Sequence, residues 1–415
     1  MNNSVPKDWQ VSKIGELIQK VIDNRGKTPP LSDKGKELIE INCIENYKFP
    51  NYDLIKKYVS NKTYNSWFRG GHPKKGDILV STVGSIGQFS IMNDNRGCIA
   101  QNIIAITPKK NICNDYLYYA CSSDIIKKAI SSVLMGAVQP SLKVPDFLAI
   151  NLHLPSLPEQ KKIVSILTSV DNVIEKIQAQ INKLQDLKKS VMNELLTKGI
   201  GHTEFKESRL EKIPKSWEIK KLQDIGFFKN GINKSKENFG FGTHLISISD
   251  VYNINLNYEK LNKVHVSNEE IEEYKLQVGD IIFVRSSVKP DGVGYPLMFK
   301  GFNHPVVFSG FMIRFRFNKN EYDPLYLKYF MEFDEFRIKL MKVATISANT
   351  NINQVALSKL KISLPKIFEQ KNISKTLLHF DNYIQLRRKK LSKIKKLKKS
   401  LIQDLLTGKV RVSVN

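Results

Sequence analysis

The chain carries one framework twice. Val5-Pro6-Lys7-Asp8-Trp9 returns 208 residues later as Ile213-Pro214-Lys215-Ser216-Trp217. Leu154-Pro155, Glu159-Gln160-Lys161, Asp171-Asn172, Lys188-Lys189-Ser190 and Leu195-Leu196-Thr197 return as Leu364-Pro365, Glu369-Gln370-Lys371, Asp381-Asn382, Lys398-Lys399-Ser400 and Leu405-Leu406-Thr407, each offset by 210. Duplication of a whole domain plus its linker predicts a pseudo-two-fold molecule. Such a molecule suits a partner with two half-sites, as duplex DNA has.

A chain of 415 residues is long enough for two to four domains, and 41% apolar with 9% aromatic residues is enough for real cores. No apolar run approaches a membrane span, and Met1-Asn2-Asn3-Ser4 does not read as a signal segment. Cys43, Cys98, Cys113 and Cys121 all fall in the first half, without a CxxC pair. They read as reduced thiols of a cytoplasmic protein rather than a zinc site. The net charge of +25 favours a polyanionic partner, although Lys is abundant everywhere in this sequence.

Each half ends in a long stretch of helical periodicity. Ile163, Leu167, Val170, Ile174, Ile177, Ile181 and Leu184 follow alternating steps of four and three, as do Ile373, Leu377, Phe380, Ile384, Arg387, Leu391 and Ile394. Only Arg387 interrupts the stripe. Both seams are expected to slip by one residue at Leu187 and Leu397, then continue through Val191, Leu195, Leu401 and Leu405. Pro158 suits a first helical turn, Glu159 and Glu369 suit the positive end of a helix dipole, and Gly199 and Gly408 suit terminators. About 40 residues make a rod of roughly 60 Å. A narrow seam wants one partner helix, and the other copy is the nearest candidate. The second stretch is intensely basic from Arg387 to Lys399, which suits phosphates, an acidic partner subunit or plain solvent.

The remaining segments, 1–155 and 213–365, mix strand-like and helical runs. Gly76-Asp77-Ile78-Leu79-Val80 is matched by Gly279-Asp280-Ile281-Ile282-Phe283-Val284, and Tyr116–Ala129 by Tyr326–Met341. Ile103–Ile106 and the alternating Met312–Phe317 read as further strands. Both units therefore read as α+β, with a common scaffold and divergent loops.

Taken in order, Ile-Pro-x-x-Trp, a Gly-Asp-Ile strand, Leu-Pro-x-x-x-x-Glu-Gln and a long helix ending Leu-Leu-Thr-Gly resemble the specificity subunits of type I restriction–modification enzymes. Phe205-Lys206-Glu207-Ser208 before Ile213-Pro214, and Leu405-Leu406-Thr407-Gly408-Lys409-Val410, add to the match. Small departures are Lys198-Gly199 after Thr197, and Pro365-Lys366-Ile367-Phe368 where a second proline is common. The resemblance implies two tandem pseudo-symmetric target-recognition domains (1–155 and 213–365), separated by two long helices (156–198 and 366–408) forming an antiparallel coiled coil, with a linker at 199–212 and a tail at 409–415. It implies that each domain reads one half of a split target in double-stranded DNA. It also implies that the chain is not itself catalytic. Modification (methyltransferase) subunits would bring S-adenosylmethionine, and a restriction and translocase subunit would use ATP and Mg²⁺.

Base readout needs donors and acceptors on exposed loops. In the first domain the candidates are Arg69, Lys74 and Lys75, with His72, in a Gly-bearing loop; Ser81, Thr82 and Ser85 after the Gly-Asp strand; and Gln101 and Asn102. In the second they are Arg285, Ser286, Ser287 and Lys289 at the matching place, and Asn349 and Asn351. Asp323-Pro324-Leu325-Tyr326 approaches a methyltransferase motif, but a helix cap with proline at the first turn accounts for it. There is no phosphate-cradling loop, and the seven histidines lack metal spacing. The enzyme alternative is a Mg²⁺-dependent nuclease built on Asp146, Glu159 and Lys161.

Overall fold

The structure is a computed structural model that describes residues 6–135, 140–207, 212–251, 256–346 and 349–413. Val5, which opens a repeated motif, and Ser208, which closes the Phe205–Ser208 segment, lie outside the described residues. The chain divides into two compact units, Met1–Gln178 with Lys389–Asn415, and Ala179–Arg388. Each contains one α+β head and part of both long helices, Leu157–Thr197 and Ile367–Leu406.

The heads share a topology. In the first, strands Ile18–Asp23, Ile103–Pro108, Ile78–Ser81 and Phe89–Ile91 lie side by side in that order, all antiparallel. In the second, Gly226–Asn230, Met312–Phe317, Ile281–Val284 and Pro296–Met298 repeat the arrangement. A smaller sheet centres on Lys36–Ile39 in the first head and on Phe239–Ile246 in the second, each with one antiparallel and one parallel neighbour. Gln10–Lys13 pairs with Asn151–Leu154, and Glu218–Lys221 with Lys361–Leu364, closing the start of each head onto its end.

The recurring Gly-Asp is a turn device. Gly76 and Gly279 sit at φ +91° and +90°, where a side chain is strained. The following aspartates accept from backbone amides three residues back, Lys74 to Asp77 and Gln277 to Asp280, both at 2.8 Å. One expectation needs correction here. Tyr116–Ala129 and Tyr326–Met341 are each two helices rather than one. Ser123 caps the second helix of the first pair, and Phe333 occupies the corresponding cap. Met312–Phe317 is a strand as expected, with both arginines turned away from solvent. Arg314 is buried and donates to the carbonyls of Glu273 and Lys275, while Arg316 pairs with the buried Asp280 at 2.6 Å. Chain 268–276 covers that face, so carbonyls replace water.

Each head is fastened to the long helices by the repeated residues. The indole nitrogen of Trp9 donates to Glu159 at 3.1 Å, and that of Trp217 to Glu369 at 3.2 Å. Gln160 accepts from the Cys113 amide and donates to the Pro155 carbonyl; Gln370 does the same with Asp323 and Pro365. Tyr119 donates to Asp171 and Tyr329 to Asp381, both at 2.6 Å. These bonds join one cluster of apolar side chains per unit. In the first unit Ile163 and Leu167 meet Leu401, Ile402, Leu405 and Leu406; in the second Val191, Leu195 and Leu196 meet Ile373 and Leu377. The early part of one helix thus packs on the late part of the other, which is an antiparallel pairing.

The seam residues are buried or half-buried throughout, Arg387 included. The expected slip does not occur. Leu187 and Leu397 are exposed, and the next residues, Lys188 and Lys398, take the inward position. Each lysine lays its stem in the seam and its ammonium on an aspartate of the opposite helix, Lys188 on Asp381 at 2.6 Å and Lys398 on Asp171 at 2.5 Å.

Candidate nucleic-acid interface

Beyond the Gly-Asp strand of each head, one short bridge recurs. The amide of Leu142 donates to the Thr82 carbonyl at 2.8 Å, and that of Ile352 to the Arg285 carbonyl at 2.9 Å. The amide of Thr82 in turn donates to Asn102, and that of Arg285 to Phe311. The scaffold therefore places Thr82 opposite Arg285 in kind, Val83 opposite Ser286, Asn102 opposite Phe311, and Ser141 opposite Asn351.

In the first head these bonds gather several expected residues and some unexpected ones. The Asn24 side chain accepts from the Gly70 amide at 2.8 Å and donates to the Gly71 carbonyl at 2.9 Å, which brings the Arg69 loop to the 24–28 turn. Thr28 and Gln101 share a side-chain bond at 3.2 Å. Arg25, half-buried, is gripped by both oxygens of Asp23 and reaches the Leu142 carbonyl at 3.4 Å. That guanidinium holds the Asp23 carboxyl below the usual carboxylate range. Arg69, Lys74, Lys75, Ser85 and Gln101 are exposed, as readers of DNA would have to be.

Ser81 and Thr82 are not exposed. Both are fully buried; Ser81 donates to the Ser85 carbonyl at 2.5 Å and Thr82 to that of Asn102 at 3.2 Å. Their hydroxyls are spent inside the loop, so they shape the site without facing outward. Asn102 is half-buried. His72 stacks flat on Tyr64, with ring centroids 3.6 Å apart, and burial lowers its pKa. Arg25, Lys27 and Thr28 escaped sequence reasoning, because only long-range bonds bring their turn to the site.

In the second head, Ser286 and Ser287 form a strand against Thr350–Asn351, which also pairs with Thr345–Ile346. Arg285 reaches the Gly310 carbonyl at 3.4 Å, Lys289 is exposed, and Asn351 donates to the Asn349 carbonyl at 2.9 Å. The structure thus joins Arg285–Lys289 and 349–351, two groups far apart in sequence. Exposed Val288, Phe311 and Ile346 border them.

Glu159 is accounted for by packing. It is buried, bonded to Trp9, and gripped by Arg411, which also binds Asp8 through two nitrogens. Asp146 and Lys161 are exposed. No group of three or more metal-ligating side chains occurs among the described residues. No helix among them is long and apolar enough to cross a membrane.

Residues 6–186 and 214–396 both match the type I restriction modification DNA specificity domain. The chain belongs to that family. The specificity subunit of the type I restriction enzyme MjaVIII from Methanocaldococcus jannaschii is 28% identical, over 98% of this chain and 94% of that protein. The EcoKI specificity subunit of Escherichia coli is 23% identical over 98% and 90%. The crystal structure of a type I S subunit from M. genitalium superposes with a TM-score of 0.57 at 16% identity, covering 98% of this chain and 97% of that one. A chain from a solved type I restriction–modification system superposes with 0.61 at 14%. These two place the specificity-subunit fold on the whole length. The nuclease alternative finds no support in any of them.

Proposed function

We infer that this chain is the DNA-reading subunit of a type I restriction–modification assembly, each head reading one half of a split duplex target. One observation carries this: scaffolds of one topology hold unlike residues at matched positions, Asn102 and Phe311, Ser141 and Asn351, and Arg285 where the first head buries Thr82. Two heads of one build with different loops suit two different half-sites. The antiparallel helices would then set the spacing, and the bases between would go unread. The charge of +25 supplies the sequence-independent attraction to phosphate.

Modification subunits are the partners that fit the helices. Leu187 and Leu397 are exposed at repeat-related positions, as are Val173 and Tyr383. A surface presented twice suits two copies of one partner. Those subunits would carry S-adenosylmethionine, and a restriction subunit would carry ATP and Mg²⁺. The test is selection of the full chain, with its modification subunits, against randomised duplex, followed by sequencing. One asymmetric, interrupted motif with a fixed spacer is expected; a contiguous motif or no motif overturns the reading.

A further inference from the structure

Around the Arg285 strand of the second head, three apolar side chains face water. Val288 is 82% exposed, Ile346 72% and Phe311 60%. The backbone sets them on or beside neighbouring strands of one sheet edge. The Phe311 carbonyl accepts from the Arg285 amide at 2.8 Å, Val288 follows Ser287, and Ser287 and Ile346 are both register partners of Thr350. Single exposed apolar residues need no explanation, but Phe311 and Val288 beside one strand and Ile346 two strands over, next to Arg285 and exposed Lys289, make a surface that is both apolar and basic. Exposed Asp291 is the acidic residue of the same loop. Basic charge excludes most protein partners of like sign and fits a polyanion. In the major groove of a duplex, the one apolar group offered by the base edges is the thymine C5 methyl. The first head differs at the matched places. Asn102 stands where Phe311 does, and exposed Val83 stands where Ser286 does.

We propose that Phe311 and Val288, backed by Ile346, read thymine methyls in the half-site taken by the second head. The inference rests on the chain being a DNA-reading subunit. It predicts an A·T pair in that half-site whose recognition depends on a methyl rather than on hydrogen bonds alone.

The experiment uses the full chain and the duplex motif obtained by selection, with each thymine replaced in turn by uracil, which removes only the methyl. Binding to every duplex is measured for the wild type, Phe311→Ala and Val288→Ala. At one or more positions of one half-site, the wild type should lose about fourfold in affinity per methyl removed. At those positions Phe311→Ala or Val288→Ala should bind thymine and uracil duplexes equally. Both side chains are exposed, so folding should survive their loss. The proposal falls if the half-site contains no A·T pair, or if uracil is tolerated at every position. It also falls if both variants still discriminate as the wild type does, or weaken on every duplex alike, as they would were the patch covered by a protein subunit. Failure to select any split motif would instead bring down the reading beneath it.

Discussion

Lys188 and Tyr329 meet on the two oxygens of one carboxylate, Asp381, each at 2.6 Å. The three come from three places: Lys188 from the first long helix, Asp381 from the second, Tyr329 from the head. The other unit repeats it with Lys398, Asp171 and Tyr119. Burial first, and then the bonded aspartate, hold both phenols far above their ordinary range. Asp381→Ala should destabilise the chain by about 1–3 kcal/mol, because it strands two polar groups that are partly shielded from water. Lys188→Met alone should be milder. The coupling between Lys188 and Asp381 in a double-mutant cycle, followed by urea unfolding, should be about 1 kcal/mol or less, since both side chains keep some solvent.

Glu159 holds Trp9 and Arg411 together with 4% of its side chain exposed. Glu159→Ala is expected to cost about 1–3 kcal/mol, leaving the buried indole N–H of Trp9 without its acceptor while Arg411 keeps Asp8. Glu159→Gln keeps an acceptor for Trp9 and should cost less. Tryptophan fluorescence during unfolding reads both. The same variants test the enzyme alternative: purified chain with Mg²⁺ and duplex DNA should show no cleavage for Glu159→Ala to remove.

Arg285 and the lysine pair Lys74–Lys75 are expected to behave differently in binding. Arg285→Ala should relax preference at one position of one half-site, by about 1–3 kcal/mol, and leave the other half unchanged. Lys74→Ala and Lys75→Ala should weaken binding to all sequences alike and reduce the salt dependence by about one phosphate each. Affinities across a salt series separate the two outcomes.

Thiol accessibility follows burial. Cys98 and Cys121 are buried, and desolvation pushes each thiol up to about 12. Cys43 is buried and raised as well. Cys113, half-buried, should react first with a maleimide near pH 8, and the others only on unfolding. Mass spectrometry of peptides over time checks the order.

Acid should loosen the first head through His72. Burial lowers its pKa below the unfolded value of 6.5, so the unfolded chain binds the proton more readily. The stability tied to neutral His72 is therefore complete above about pH 6.5 and is lost as pH falls through the lower folded value. His153, lowered by burial in the same unit, adds to the trend. His72→Phe keeps a ring against Tyr64 and should flatten the dependence of Tm on pH between 7.5 and 5.

The duplication, the family and the long helices were legible because they are written as offsets and spacings. The seam was misread at Leu187 and Leu397 because periodicity counts lysine as polar, whereas its stem packs like an aliphatic chain. Ser81 and Thr82 were misplaced for a related reason. Small polar residues after a strand look like loop donors until long-range bonds bury them. Nothing local to Arg25, Lys27 or Phe311 marks them, since their neighbours come from bonds such as Asn24 to Gly70 and Arg285 to Phe311.

The paired Trp–Glu, Gln and Tyr–Asp fastenings are the same in both units, and none involves a residue that the interface would use. That match predicts that a head carrying those few groups would seat in either position. Recombination between the duplicated helices would then swap whole cassettes without disturbing how they mount, and a lineage could acquire a new address while keeping its chassis.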